Sequence, residues 1–174
     1  MPIARVFAAF AALLLATGTA SAQGAKLTDP QIAHIAYTAG VIDIKAAKLA
    51  LGRSKNKEVI AFAKDMVRDH GAVNQKALAL VKKLKVTPED NDTSRSLVQK
   101  ADEDRATLSK LHGAEFDKAY ANYEVAYHKT VNGALETTLI PDASNPELKD
   151  LLSTGLKIFQ GHEQHAEHLV ETLK

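Results

Sequence analysis

Seven histidines and 21 acidic residues, with no cysteine, make up most of the chemical repertoire of this 174-residue chain. Without cysteine there is no disulfide framework, thiol nucleophile or cysteine metal cluster. Six residues stand out because each interrupts an otherwise apolar helical stripe: Asp43, His70, Asp117, Glu124, His128 and His162. Inside a fold, an unpartnered polar group costs about 1–3 kcal/mol and an unpaired charge more. One reason to bear that cost is metal binding, which bundles achieve with inward-facing side chains. Imidazole and carboxylate suit a divalent transition metal (zinc, copper, iron or manganese), whereas a soft Cu(I) site calls for Cys or several Met. The alternative is a buried hydrogen-bond network, His with Asp or Tyr, that only fixes helix register. Three seam histidines beside three seam carboxylates favour the metal.

The spacing also excludes chemistries. The residues three positions before each histidine are Gln31, Val67, Ser109, Val125, Phe159, His162 and His165, so the Glu-x-x-His di-iron signature is absent. Glu124 and His128, four apart, share a helix face. A mononuclear His-rich site or an irregular dinuclear one stays open. No phosphate loop, Gly-x-Ser-x-Gly elbow or His-Glu-x-x-His element occurs, and nothing supplies a flavin or haem, so enzymatic activity is not indicated. His165 and His168 extend a tract from His162, with His168 read as solvated. His112 belongs to a turn, and Tyr120, Tyr123 and Tyr127 read as packing.

These side chains need helices to aim them. Prolines and capping residues divide the chain into helices at about 30–51, 56–85, 94–111, 115–139 and 146–173, with Asp29-Pro30 and Asn145-Pro146 as two of the starts. No alternating β-branched run appears, so the fold class is all-α. The short third helix reads as a crossover between two hairpins.

Apolar seams name the inward faces. They are Val59, Ala63, Met66, His70, Val73, Ala77, Leu80 and Leu84 on the second helix, and Leu148, Leu152, Gly155, Phe159, His162, Ala166, Leu169 and Leu173 on the last. The first helix offers Ile32, Ala36, Ala39, Asp43, Ala46 and Ala50. The segment 61–74 repeats as 119–132, with Ala, Val, His and Asn at matched steps, which superposes His70 on His128. It also places Asp117, Ala121, Glu124, His128, Val131 and Leu135 inward.

Heights set a constraint. A turn centred near Asp142 leaves His128 about 9 Å beyond the level of His162, and Asp43 falls about two turns from the level of His70. One shell holding all six residues is not expected; two layers or a subset are.

Residues 1–22 read as a secretory signal peptide: Arg5, an apolar run from Val6 to Ala16, then Ala20-Ser21-Ala22 before cleavage. The run is too short to span a bilayer of about 30 Å. The mature chain, 23–174, is expected to be one periplasmic domain with balanced charge and no further apolar stretch of spanning length. That balance gives no footprint for nucleic acid. The partner is open, a homo-oligomer included.

Phe62-Ala63-x-x-Met66-Val67-x-Asp69-His70, followed by Phe116-Asp117-x-x-Tyr120, His128 and His162, resembles the family called domain of unknown function 4142. The resemblance implies an exported bacterial protein with a ferritin-like four-helix bundle, the extra short helix lying in the crossover. Its marked positions here are Met66, Asp69, His70, Phe116, Asp117, Tyr120, His128 and His162. Asp43 stands where the family often has Glu. Two functions follow as expectations: metal storage, buffering or stress defence, or a non-metal interaction scaffold whose core histidines are structural.

Overall fold

A computed structural model describes residues 26–173; the expected signal peptide lies outside the described residues. The long helices are α1 (Asp29–Arg53), α2 (Lys57–Leu84), α3 (Asp92–Leu108) and α4 (Gly113–Ala134). A π-helical turn (Leu135–Leu139) and a single turn α5 (Ile140–Asp142) extend α4, and α6 (Pro146–Thr172) completes the chain. No strand occurs among the described residues. Helices α1 and α2 form one hairpin, α4 and α6 the other, and α2 against α6 joins them. The crossover helix α3 packs along α1, pinned at its start where Asn91 Nδ2 donates to the Gln31 carbonyl. The all-α bundle with a short crossover helix is the expected architecture.

Local chemistry sets the ends. Asn56 caps α2 and Asn145 caps α6, each side chain accepting two backbone N–H groups of the first turn. One expectation needs correcting. Thr28, not Asp29, caps α1, in a capping box with Gln31. Asp29 instead accepts from the backbone N–H of Ser144 and Asn145, at 2.7 and 2.9 Å, and ties the start of α1 to the start of α6. The π-helical turn ends immediately before Ile140-Pro141, where the missing proline N–H and the bulk of its ring disfavour regular α-helix.

Packing is split in two. One apolar cluster gathers Ala46, Ala47, Ala50, Phe62, Met66, Phe116, Tyr120, Ala166 and Leu169 among others. The second gathers Ile32, Ile35, Leu135, Leu139, Leu148, Leu152 and Phe159. Along each of α1, α2, α4 and α6 the polar interruption falls between the two clusters, so the bundle has a polar waist.

The expected seams of α1, α4 and α6 are largely buried, but Val73, Ala77, Leu80 and Leu84 of α2, and Val131 of α4, are only half-buried. Their neighbours Ala33, Ala36, Ala39, Gly40 and Gly155 are small, and a narrow apolar cavity of about 50 Å³ remains between the helices. Close approach has a reason at Gly40, where an added Cβ would lie 2.4 Å from Asn74 Oδ1.

The expected heights are overturned. Asp43 Oδ2 lies 3.4 Å from His70 Nε2, and the rings of His128 and His162 are 5.5 Å apart. Both hairpin turns sit further along the chain than the spacing suggested. Ser54–Asn56 and Ala143–Asn145 are non-helical, and moving a turn's centre by one residue shifts the paired register by two.

Candidate metal centre

The waist draws one or two residues from each of four helices. Asp43 comes from α1, His70 from α2, Glu124 and His128 from α4, and His162 from α6. Asp43, Glu124 and His128 are 0% exposed, His70 2% and His162 7%. Two overlapping groups result. His70, His128 and His162 each offer a ring nitrogen, and these atoms lie within 4.8 Å of one another; the ligand atoms of Asp43, Glu124 and His128 do the same.

The repeat between α2 and α4 is visible in burial. Phe62 and Tyr120, Ala63 and Ala121, His70 and His128, and Asn74 and Asn132 are buried in pairs. It breaks where α4 carries acids: Val59 matches Asp117, and Met66 matches Glu124. Asp117 is buried but belongs to neither group, being two turns, about 10 Å, from Glu124 along the axis.

Each imidazole is oriented. His128 Nδ1–H donates to the Glu124 carbonyl at 3.0 Å, which leaves Nε2 without a hydrogen-bond partner, 3.6 Å from Asp43 Oδ2. His162 Nε2–H donates to Asp69 Oδ2 at 3.0 Å and leaves Nδ1 without one. The His70 ring stacks on Phe159, centroids 4.3 Å apart and planes 9° from parallel, and neither of its nitrogens is hydrogen-bonded. Asp43 and Glu124 lie against each other, with the Tyr120 phenol beside Glu124, yet none of these oxygens meets a partner in good hydrogen-bond geometry. A network that only fixed register would satisfy these atoms. Tyr127, one candidate partner, donates to the Ala39 carbonyl instead.

Electrostatics keep the imidazoles available as ligands. Burial holds His70 well below its usual pKa, helped by His128 and His162, and pulls His128 down to about 4. Burial also lowers His162, against the opposite pull of Asp69. Burial pushes Asp43 up to about 7, and raises Glu124 strongly with help from the neighbouring Asp43 charge. Neutral imidazole is the ligating form, and a cation would draw protons off the two acids. The donor set thus fits a divalent transition metal.

Asp69 is the residue that periodicity missed. It sits one position before a seam residue, off the stripe, and only the family resemblance marked it. Its carboxylate accepts from His162 and from Arg68, whose guanidinium also reaches Asp65. With a side chain 25% exposed, Asp69 links the waist to solvent. The remaining four histidines stand apart: His34 lies near Asp90, His165 packs edge-on against Phe62, His112 lies beside Arg53, and His168 is exposed.

Comparison with known proteins gives a fold and a family. A solved structure described as "CopM in the Cu(II)-bound form" is similar with a TM-score of 0.65, over 86% of this chain and 99% of that one. The two share 11% identity, so the likeness is one of fold. No curated protein matches the chain. The pattern of the family described as "Domain of unknown function (DUF4142)" matches residues 14–169, and the chain belongs to that family.

Proposed function

We propose that this protein is exported by its signal peptide to the periplasm and there binds a divalent transition metal ion at the waist, to store or buffer it as a defence against metal stress. The observation that carries the reading is the convergence of three buried imidazoles from three helices, each offering a ring nitrogen within 4.8 Å of the other two. His70, His128 and His162 are the imidazole ligands, and the waist carboxylates complete the shell. Copper as Cu(II) and zinc are the ions this donor set favours. Copper gains support from the Cu(II)-bound state of the structure that shares the fold. The metal would supply no reaction step here; the chain's own residues hold it, exclude water and set its charge.

The test is equilibrium dialysis of tag-free protein, purified without chelator, against buffered Cu(II) and Zn(II). Wild type is expected to retain the ion at low free concentration. His70→Leu, His128→Leu and His162→Leu are each expected to weaken binding at least tenfold while helix content stays unchanged. Equal retention by wild type and all three variants would overturn the reading.

A further inference from the structure

We propose that a metal ion reaches the waist between α2 and α6, through the Asp69–His162 pair, and that Arg68 is the strap that holds this entrance shut. The inference rests on the metal reading above and adds to it a route and a gate for a divalent cation arriving from solvent.

A waist this deep needs an opening. None of its five donors is more than 7% exposed, so an ion in solvent meets none of them directly. The most exposed is His162, and it is hydrogen-bonded to a residue that solvent does touch, Asp69. The other helix seams are tied within a turn of the waist. Between α1 and α4 the Tyr127 hydroxyl donates to the Ala39 carbonyl at 2.8 Å, with the Tyr123 ring stacked on that of Tyr127. Gly40 and Asn74 close the seam between α1 and α2. Between α4 and α6 Asn132 Nδ2 donates to Glu163 at 2.7 Å, and Lys129 pairs with Glu167. None of these side chains hydrogen-bonds to a waist donor; Asp69 does.

Arg68 shuts the seam between α2 and α6. Its Nη2 donates to Asp69 Oδ2, the same oxygen that accepts from His162, and its Nε donates to Oδ1, at 2.9 and 2.7 Å. Nη1 reaches Asp65 Oδ1, one turn back, at 2.6 Å. The guanidinium thus covers both carboxylates that an incoming cation would meet first, with charge-assisted hydrogen bonds. Its side chain is nevertheless 66% exposed, and an ion pair so open to water is weak and readily parted. With Arg68 swung away, Asp65 and Asp69 present two negative charges at the mouth, which draw in a cation. Asp69 then passes the ion to the imidazole it touches. The repeat supplies the contrast. At the positions matching Asp65, Arg68 and Asp69, α4 carries Tyr123, Ala126 and Tyr127, so the equivalent face is sealed by rings and has no charge to part.

The test measures rates in wild type, Arg68→Gln and Lys129→Gln, the second removing an equal charge from the face between α4 and α6. Stopped-flow quenching of tyrosine fluorescence by Cu(II) gives the binding rate, and transfer to excess chelator gives the release rate. Arg68→Gln is expected to raise both about fivefold, and Lys129→Gln neither. In metal-free protein, carbethoxylation of His162 mapped by mass spectrometry should also be about fivefold faster in Arg68→Gln, with His70 and His128 as protected as in wild type. Wild type that takes up no Cu(II) would overturn the metal reading itself. Bound Cu(II) with both rates unchanged in Arg68→Gln, or raised equally in Lys129→Gln, would overturn only the gate. So would faster release with an unchanged binding rate, the mark of a residue that merely positions His162, and so would unchanged carbethoxylation. Circular dichroism of each variant confirms that the bundle is intact.

Discussion

The Nε2 of His162 donates to Asp69 Oδ2 at 3.0 Å, and the same carboxylate is held by the Arg68 guanidinium at 2.7 and 2.9 Å. Asp69 thereby fixes the tautomer of His162 and leaves Nδ1 as its buried nitrogen without a hydrogen-bond partner. Substitution of such a carboxylate partner of a ligating histidine weakens metal binding about 10–100-fold. Asp69→Asn is expected to fall in that range, with a thermal melt of the metal-free protein close to wild type. Competition with a chromophoric chelator measures it.

The buried acids make metal-free stability depend on pH. Asp43 titrates near 7 in the folded chain against the usual 3.8, so its contribution is present in full at low pH and lost as the pH rises through about 7. His128, lowered to about 4 from 6.5, works oppositely: its contribution is present above 6.5 and lost as the pH falls through about 4. Between 4 and 6.5 the two effects oppose each other, and above 6.5 the carboxylates act alone. In chelator, the wild-type melting temperature should decline from pH 6.5 to 8. Asp43→Asn should melt above wild type by about 3 °C or more at pH 8, and the gap should narrow at pH 5. A gap independent of pH would mean that Asp43 does not titrate in this window.

Leucine at His70, His128 or His162 would bridge the two apolar clusters across the waist. Replacing a buried polar group by a well-packed apolar one is often neutral or stabilising. Without metal, these variants should melt as high as wild type or higher. With Cu(II) at about 100 times its dissociation constant, wild type should gain about 2.7 kcal/mol, roughly 5–10 °C, and the variants far less. Differential scanning calorimetry with and without copper reads both arms.

Gly40 and Asn74 form a tight contact between α1 and α2, with Asn74 Nδ2 donating to the Tyr37 carbonyl at 3.4 Å. An alanine Cβ at position 40 would push Asn74 aside, at a cost of about 1–3 kcal/mol typical of overpacking. Gly40→Ala should lower the urea midpoint, and adding Asn74→Ala should recover part of the loss. Strictly additive effects would deny the contact.

Much of this was legible in the residues. The seam of α6 maps onto its buried face from Leu148 to Leu169, because that helix is packed along its length and one periodicity governs it. Polar residues breaking apolar stripes at His70, Glu124, His128 and His162 marked the waist for the same reason. The heights were not legible. They depend on where two three-residue turns fall and how the helices cross, which propensity does not determine within a few residues. Asp69 escaped for a different reason: it acts through a partner on another helix, and stripe position carries no trace of that. The half-open seam of α2 was hidden as well, since it reflects small residues on α1 and α6 rather than anything on α2 itself.

Pulsed electron paramagnetic resonance of protein loaded with one equivalent of Cu(II) tests the central claim most directly, because modulation from the remote imidazole nitrogens counts the histidines on the metal. Three coordinated imidazoles are predicted in wild type, and two in each of His70→Leu, His128→Leu and His162→Leu. A wild-type spectrum without imidazole modulation, or one unchanged in all three variants, would contradict a copper site at the waist.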